Sequence, residues 1–262
     1  MNVLALRKRS LAALVLASLV GVVAFGWPFF ADPASTLSSH SGDAPYLFVV
    51  LLPLIVAVVL AELTEGGMDA KSVALLGVLA AVGAALRVLS PATIGFEPAF
   101  FLLLLAGRVF GAGFGFALGA LIILSSSLVM GGVGPWMPFQ MFGLGWVGLM
   151  AGLLPPATGW PERWMLAGYA AVTGFAYGAL LNLWFWPFAS YLAPGLAYEP
   201  GASVWTNVVH YGAFYVTTSL AWDTTRAVLN GVLVLLAGRP ILAVLRRAAR
   251  RAAFEAPVRF SP

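Results

Sequence analysis

Apolar residues in this chain gather into long runs, separated by short polar or Gly/Pro-rich stretches. A membrane-spanning helix needs about 20 mostly apolar residues. Runs at 10–30, 46–63, 71–89, 97–109, 111–130, 139–155, 164–186 and 214–238 predict eight helices, of which the fourth and sixth are short for a span. A polar loop, 31–45, follows the first run. A second loop, 187–213, contains Pro194-Gly195 and Glu199-Pro200-Gly201, and its part 204–211 reads as a short interfacial helix. The segment 131–145 opens with Gly131-Gly132-Val133-Gly134-Pro135, which gives it a bent start. Trp136, Phe139 and Gln140 follow before an apolar helix begins.

Composition agrees with this pattern. Of 262 residues, 61% are hydrophobic and 9% charged, against about 25% charged in soluble domains. The expected fold is therefore an all-α polytopic membrane protein. The absence of cysteine excludes disulfides and thiolate metal sites. Arg7-Lys8-Arg9 before the first apolar run resembles a signal peptide. The run continues through Trp27-Pro28-Phe29-Phe30, and Ala31-Asp-Pro-Ala34 is a weak cleavage site. A retained signal-anchor helix is the expectation.

Lys and Arg set the predicted orientation. Arg7, Lys8, Arg9, Lys71, Arg163, Arg239, Arg246, Arg247, Arg250, Arg251 and Arg259 fall on one side, whereas the loops 31–45, 90–96, 131–138 and 187–213 hold none. This predicts a cell-membrane (inner or plasma) protein with both termini cytoplasmic and those loops outside. The same distribution explains the net charge of +4 without nucleic acid. The basic tail Arg246–Arg251 reads as an anchor on anionic lipid.

Small residues recur at four-residue spacing, the pattern by which helices approach closely in lipid. The third helix carries Gly77, Ala81 and Ala85 beside Ala80 and Ala84. The fifth carries Gly111, Gly115 and Gly119, the sixth Gly148 and Gly152, and the seventh Ala170, Gly174 and Gly178. Packing inside the bundle is the default for each. In the third helix, two adjacent small rows leave docking of a second membrane protein equally open.

Polar groups inside a bilayer are costly and invite a functional reading. Asn182 and Trp186 extend the glycine stripe of the seventh helix, so Asn182 either bonds another helix or faces a ligand, and Trp184 and Trp186 suit an aromatic belt. Ser219, Asp223, Arg226 and Asn230 form one stripe, with Asp223 and Arg226 spaced to pair. Arg87 and Arg108 lie near helix ends and can snorkel, and Arg87 can alternatively hold an anionic group of a ligand. Glu97 before Pro98 reads as a helix cap. His210, with Asn207 and Tyr211, reads as structural or as a ligand contact. Trp136, Phe139 and Gln140 offer an indole, a phenyl ring and an amide for a solute, or form an interfacial turn.

Residues 71–243 resemble the substrate-binding S component of an energy-coupling factor (ECF) transporter. The likeness rests on Ala80-xxx-Ala84 with Gly77, Ala81 and Ala85, on Gly134-Pro-Trp-Met-Pro-Phe-Gln-Met-Phe142, on Asn182 to Trp186, and on Asp223-Thr-Thr-Arg226 with Asn230-Gly231. It implies a six-helix core that captures a vitamin or related micronutrient at the outer face, cobalamin first by resemblance. Trp136, Phe139, Gln140, Asn182, Trp186, Arg87, Asn207 and His210 are then the substrate contacts. The Ala-rich helix would dock on a T component driven by two ATPases. Two extra N-terminal helices (within 1–70) depart from the pattern, and 244–262 is a basic cytoplasmic tail. They add the question of whether the extra helices obstruct one side of the first core helix. The chain has no Gly-x-x-x-x-Gly-Lys-Ser/Thr loop to power transport itself. No cofactor, metal or enzymatic activity is expected: there are two histidines, both in loops, and Ser125-Ser126-Ser127 has no evident base. An intramembrane enzyme, a stand-alone carrier and a purely structural subunit are the alternatives.

Overall fold

The computed structural model describes residues 8–30, 51–57, 59, 70–90, 95–189 and 191–253. The predicted polar loop 31–45, the weak cleavage site and residues 254–262 of the tail lie outside the described residues. Everything regular among the described residues is helical: α1 (Lys8–Phe30), α2 (described over 51–57), α3 (Ala70–Val88), α4 (Ala99–Phe110), α5 (Ala112–Met130), α6 (Met137–Leu153), α7 (Gly159–Phe185), α8 (Val204–Thr218) and α9 (Leu220–Ala253). Four stretches are long and apolar enough to cross a membrane: Ala70–Val88, Ala112–Met130, Gly159–Phe188 and Leu220–Arg250. Leu11–Gly26, Ala99–Phe110 and Met137–Leu153 are shorter apolar helices. Val78, Leu128, Val172 and Leu236 are exposed on the outer faces of the bundle. That surface suits acyl chains and would be a liability in water. The chain is an α-helical membrane protein.

Two pairings organise the bundle: α5 with α6, and α7 with α9, with α4 wedged between α6 and α9. The α5–α6 seam explains the glycines. A methyl group added at Gly115 would collide with the carbonyl oxygen of Gly148, one at Gly148 with that of Gly115, and one at Gly119 with that of Leu144. Only hydrogen fits, so the two backbones touch directly, the close approach that small residues permit in lipid. A second seam joins α7 and α9, where a methyl on Gly174 would meet the backbone of Ala227. The predicted small-residue rows on α5, α6 and α7 therefore pack internally.

Short connections alternate the helix directions and give the bundle two ends. The tryptophan end carries Arg87, the Gly131–Trp136 turn, Trp186 and α8. The arginine end carries Arg108, the start of α7 and the last turns of α9. At the tryptophan end α5 stops at Gly131, whose φ of 67° is the left-handed conformation that ends many helices. The predicted bent start of the 131–145 segment is this turn. α1 lies along α6 and α7: Trp146 Nε1 donates to Ser18 Oγ at 2.9 Å, and Phe25 meets Phe139 edge-on at 5.0 Å. Leu51, Ile55 and Val59 join the same core.

Three element boundaries differ from expectation. The predicted last helix, 214–238, is two helices that break at Ser219, and α9 continues to Ala253. The interfacial helix runs over Val204–Thr218 rather than 204–211, starting where Ser203 Oγ accepts from Thr206 N at 3.0 Å. α7 begins at Gly159 rather than 164, which brings Glu162 and Arg163 into a helix.

Candidate functional site

Three of the eight predicted substrate contacts, Trp186, Asn207 and His210, hold one loop. Trp186 sits in a 3-10 turn that follows α7 and has no exposed surface. Its indole donates to Leu196 O at 2.7 Å and its ring meets Tyr198 and Tyr211 edge-on. Asn207 is buried and grips residue 199 twice, its Nδ2 donating to Glu199 O at 3.0 Å and its Oδ1 accepting from Glu199 N at 2.9 Å. A ring nitrogen of His210 lies 3.0 Å from Ala197 O. The segment 196–199 is thus clipped by side chains at three of its four residues. Tyr211 adds a hydroxyl bond to Ala179 O of α7, which ties α8 to the bundle.

Asn182 takes the helix-bonding alternative, with Nδ2 donating to Ser219 Oγ at 2.7 Å across the α8–α9 break. Phe139 is fully buried, stacked on Trp184 with centroids 5.2 Å apart. Trp136 is 41% exposed, its indole bonded to Gly132 O at 3.2 Å and its ring lying over Gly134.

Arg87 and Gln140 come together although 53 residues separate them. Arg87 donates to Gln140 Oε1 at 3.2 Å and to Ser126 Oγ at 2.9 Å. The guanidinium is half-buried, and among the described residues no carboxylate pairs with it. It does not simply snorkel, since α5 and α6 supply its partners. Trp136, one turn before Gln140, stands at the mouth of the same turn.

A second polar group lies between α4, α7 and α9. The predicted Asp223–Arg226 pair is present, and a third member joins it: Arg226 Nε is 2.5 Å from Glu97 Oε2. Glu97 was expected to cap α4 and does not. The N-terminal N–H groups of a helix need partners, and Asn230 of α9 serves Phe101 N at 2.9 Å through Oδ1. The Asn230 amide also donates to Glu97 O at 3.2 Å. Arg226 further donates to Gly174 O at 3.0 Å, and Tyr215 donates to Asp223 Oδ2 at 2.9 Å. Tyr177, edge-on to Phe100 at 4.9 Å, lies 5.3 Å from the Arg226 guanidinium and within electrostatic reach of Arg87, Glu97 and Arg226. Tyr177 thus lines the Arg226 group.

The docking row of α3 divides. Ala80 and Ala84 are buried, and a methyl on Gly83 would meet the side chain of Ile122 in α5. Gly77, Ala81 and Ala85 face outward. They line an apolar groove of about 570 Å³ with Leu121, Ser125 and Val129 of α5.

At the arginine end Arg108 was expected to snorkel but is buried. Its Nε lies 2.9 Å from Glu162 Oε1, and its other nitrogens donate to Leu154 O at 2.8 Å and Ala157 O at 3.3 Å. Arg246 joins the same carboxylate oxygen at 2.6 Å. Among the described residues no group of three or more His, Asp and Glu stands ready for a metal. Comparison with known protein families, curated proteins and solved structures found no match to this chain.

Proposed function

We propose that this chain is the substrate-binding subunit of an importer of the ECF S-component kind, which captures a vitamin-like solute at the tryptophan end. One observation carries the reading. The Arg87 guanidinium, inside an apolar bundle, is met by a hydroxyl at 2.9 Å and an amide at 3.2 Å but by no carboxylate among the described residues. A charge held in lipid among neutral partners is costly, and such groups mark solute sites. An anionic or carbonyl group of a solute would complete it, with Gln140 free to turn its amide toward the same solute and Trp136 to stack. Phe139 and Trp186, which have no exposed face, then support the site from behind. Asn207 and His210 act through the loop they hold. Cobalamin remains the first solute to try, on resemblance only.

In this reading the open row Gly77, Ala81 and Ala85 receives the T component, which two ATPases drive, and the tryptophan end faces outward. α1 packs mainly on α7 and α6, and none of its residues lines that groove. The deciding experiment is a vitamin screen on the purified chain by quenching of its nine tryptophans. Saturable quenching by at least one vitamin is expected, and Arg87→Ala should weaken it at least about tenfold, as loss of a hydrogen bond to a charged group does. No saturable quenching with any vitamin, cobalamin included, refutes the reading.

A further inference from the structure

The arginine end holds a concavity that solute capture does not use. It measures about 540 Å³ and lies between the first turn of α7 and the later turns of α9. Five arginines line it with a single glutamate. Arg239, Arg246 and Arg250 recur at intervals of seven and four, so they share one face of α9, and Arg247 borders that face. Arg163 enters from α7. The one carboxylate, Glu162, is already shared by Arg108 and Arg246. Among the described residues no carboxylate pairs with Arg163, Arg239, Arg247 or Arg250.

Two of these cations are held in place beforehand. Glu162 fixes Arg246 at 2.6 Å, and the Arg163 guanidinium lies 3.5 Å over the Trp160 ring. Like charges gathered around one concavity repel unless an anion joins them. Guanidinium forks match phosphate oxygens in pairs. Depth narrows the source. α9 has 34 residues, about 50 Å at 1.5 Å per residue, against a hydrocarbon core of about 30 Å. Its arginine-bearing turns therefore run past the acyl region to the depth of headgroups. Trp160, 58% exposed at the rim, suits the same layer.

We propose that this concavity is a specific site for a phosphate-bearing anion, and that the headgroup of an anionic phospholipid fills it. It is a shaped pocket with two preset cations, which distinguishes it from a general attraction of basic residues to a charged surface. The inference is independent of any solute at the tryptophan end.

The test uses the full chain in nanodiscs of phosphatidylcholine with or without phosphatidylglycerol, followed by mass spectrometry of the lipid retained after mild extraction. Retention of phosphatidylglycerol over phosphatidylcholine is expected. The triple variant Arg239→Gln, Arg247→Gln, Arg250→Gln should reduce it at least about tenfold, since each basic residue near a headgroup contributes measurably. The corresponding triple lysine variant, which keeps the charge but loses the forks, should retain only part of it. These three side chains are exposed, so the melting temperature of the glutamine variant should stay within a few degrees of the parent. A parallel titration with inorganic phosphate separates the two sources. Saturable phosphate binding lost in the same variant would keep the phosphate chemistry and assign it to a soluble anion. Equal retention of both lipids without phosphate binding overturns the proposal. So does a lipid preference that the glutamine variant leaves unchanged.

Discussion

The two ends of the bundle bury ionic clusters of opposite balance. At the arginine end, two guanidiniums share the single carboxylate of Glu162. At the tryptophan end, two carboxylates, Glu97 and Asp223, share the single guanidinium of Arg226. Closure differs as well. Arg108 is held by two backbone carbonyls besides Glu162. Arg226 has one backbone carbonyl, that of Gly174, and its cluster is otherwise bounded by the Tyr215 phenol and the Asn230 amide. Partners that rotate can exchange one hydrogen bond for another. The first cluster therefore acts as a fastener between α4, α7 and α9, and the second is joined mostly through side chains, which can rotate.

Breaking the fastener should have the largest effect. Glu162→Gln leaves Arg108 buried without its counter-charge, which costs about 3–5 kcal/mol when one partner of a buried pair is removed. A large fall in unfolding temperature in detergent is expected. A fall no greater than that of a surface variant would show that both ends are alike. Asp223→Asn should cost less, about 1–3 kcal/mol, because Arg226 keeps Glu97 and the new amide can still accept from Tyr215. Side-by-side melting curves of the two variants test the asymmetry directly.

Arg87→Ala should be milder still for stability, since only a serine and a glutamine lose a partner, while ligand quenching weakens at least tenfold. Unchanged quenching would make Arg87 a packing residue and remove the functional contrast between the ends. Smallest of all in the isolated chain is Ala81→Trp. Its side chain projects into the open groove on α3, so folding should be unaffected; under the proposed function, solute binding should persist while assembly with a T component fails. Ala84→Trp should instead disturb the chain itself, because Ala84 is buried.

The helices were legible because apolar runs of membrane length leave little choice. The break at Ser219 was hidden, since the apolar pattern runs straight through it. A signal was nevertheless there: Thr217-Thr218-Ser219 places three hydroxyls in succession. Thr217 and Thr218 bond back to Ala213 and Phe214 carbonyls, and such bonds compete with regular helix continuation. The early start of α7 was also signalled, by Pro161 and Glu162 in a first turn. At the candidate site, the i, i+3 pair Asp223–Arg226 followed from helical spacing alone. Glu97 with Arg226, Arg87 with Gln140 and Glu162 with Arg246 are 129, 53 and 84 residues apart. No local pattern announces partners at such separations. The signal that remained was a lone carboxylate next to an apolar run. Each such carboxylate in the described bundle (Glu97, Glu162, Asp223) found an arginine.

The glycine seam between α5 and α6 bears on how the sequence can drift. On the lipid-facing surface, Val78, Val172 or Leu236 can exchange among apolar residues, because a fluid solvent adjusts to any shape. At Gly115 and Gly148 the neighbour is a peptide carbonyl that cannot yield, so even alanine is excluded. Along this seam, the positions with no side chain permit the fewest replacements. A saturation library selected only for membrane insertion and folding would return a broad apolar spectrum on the outside and glycine alone along the seam.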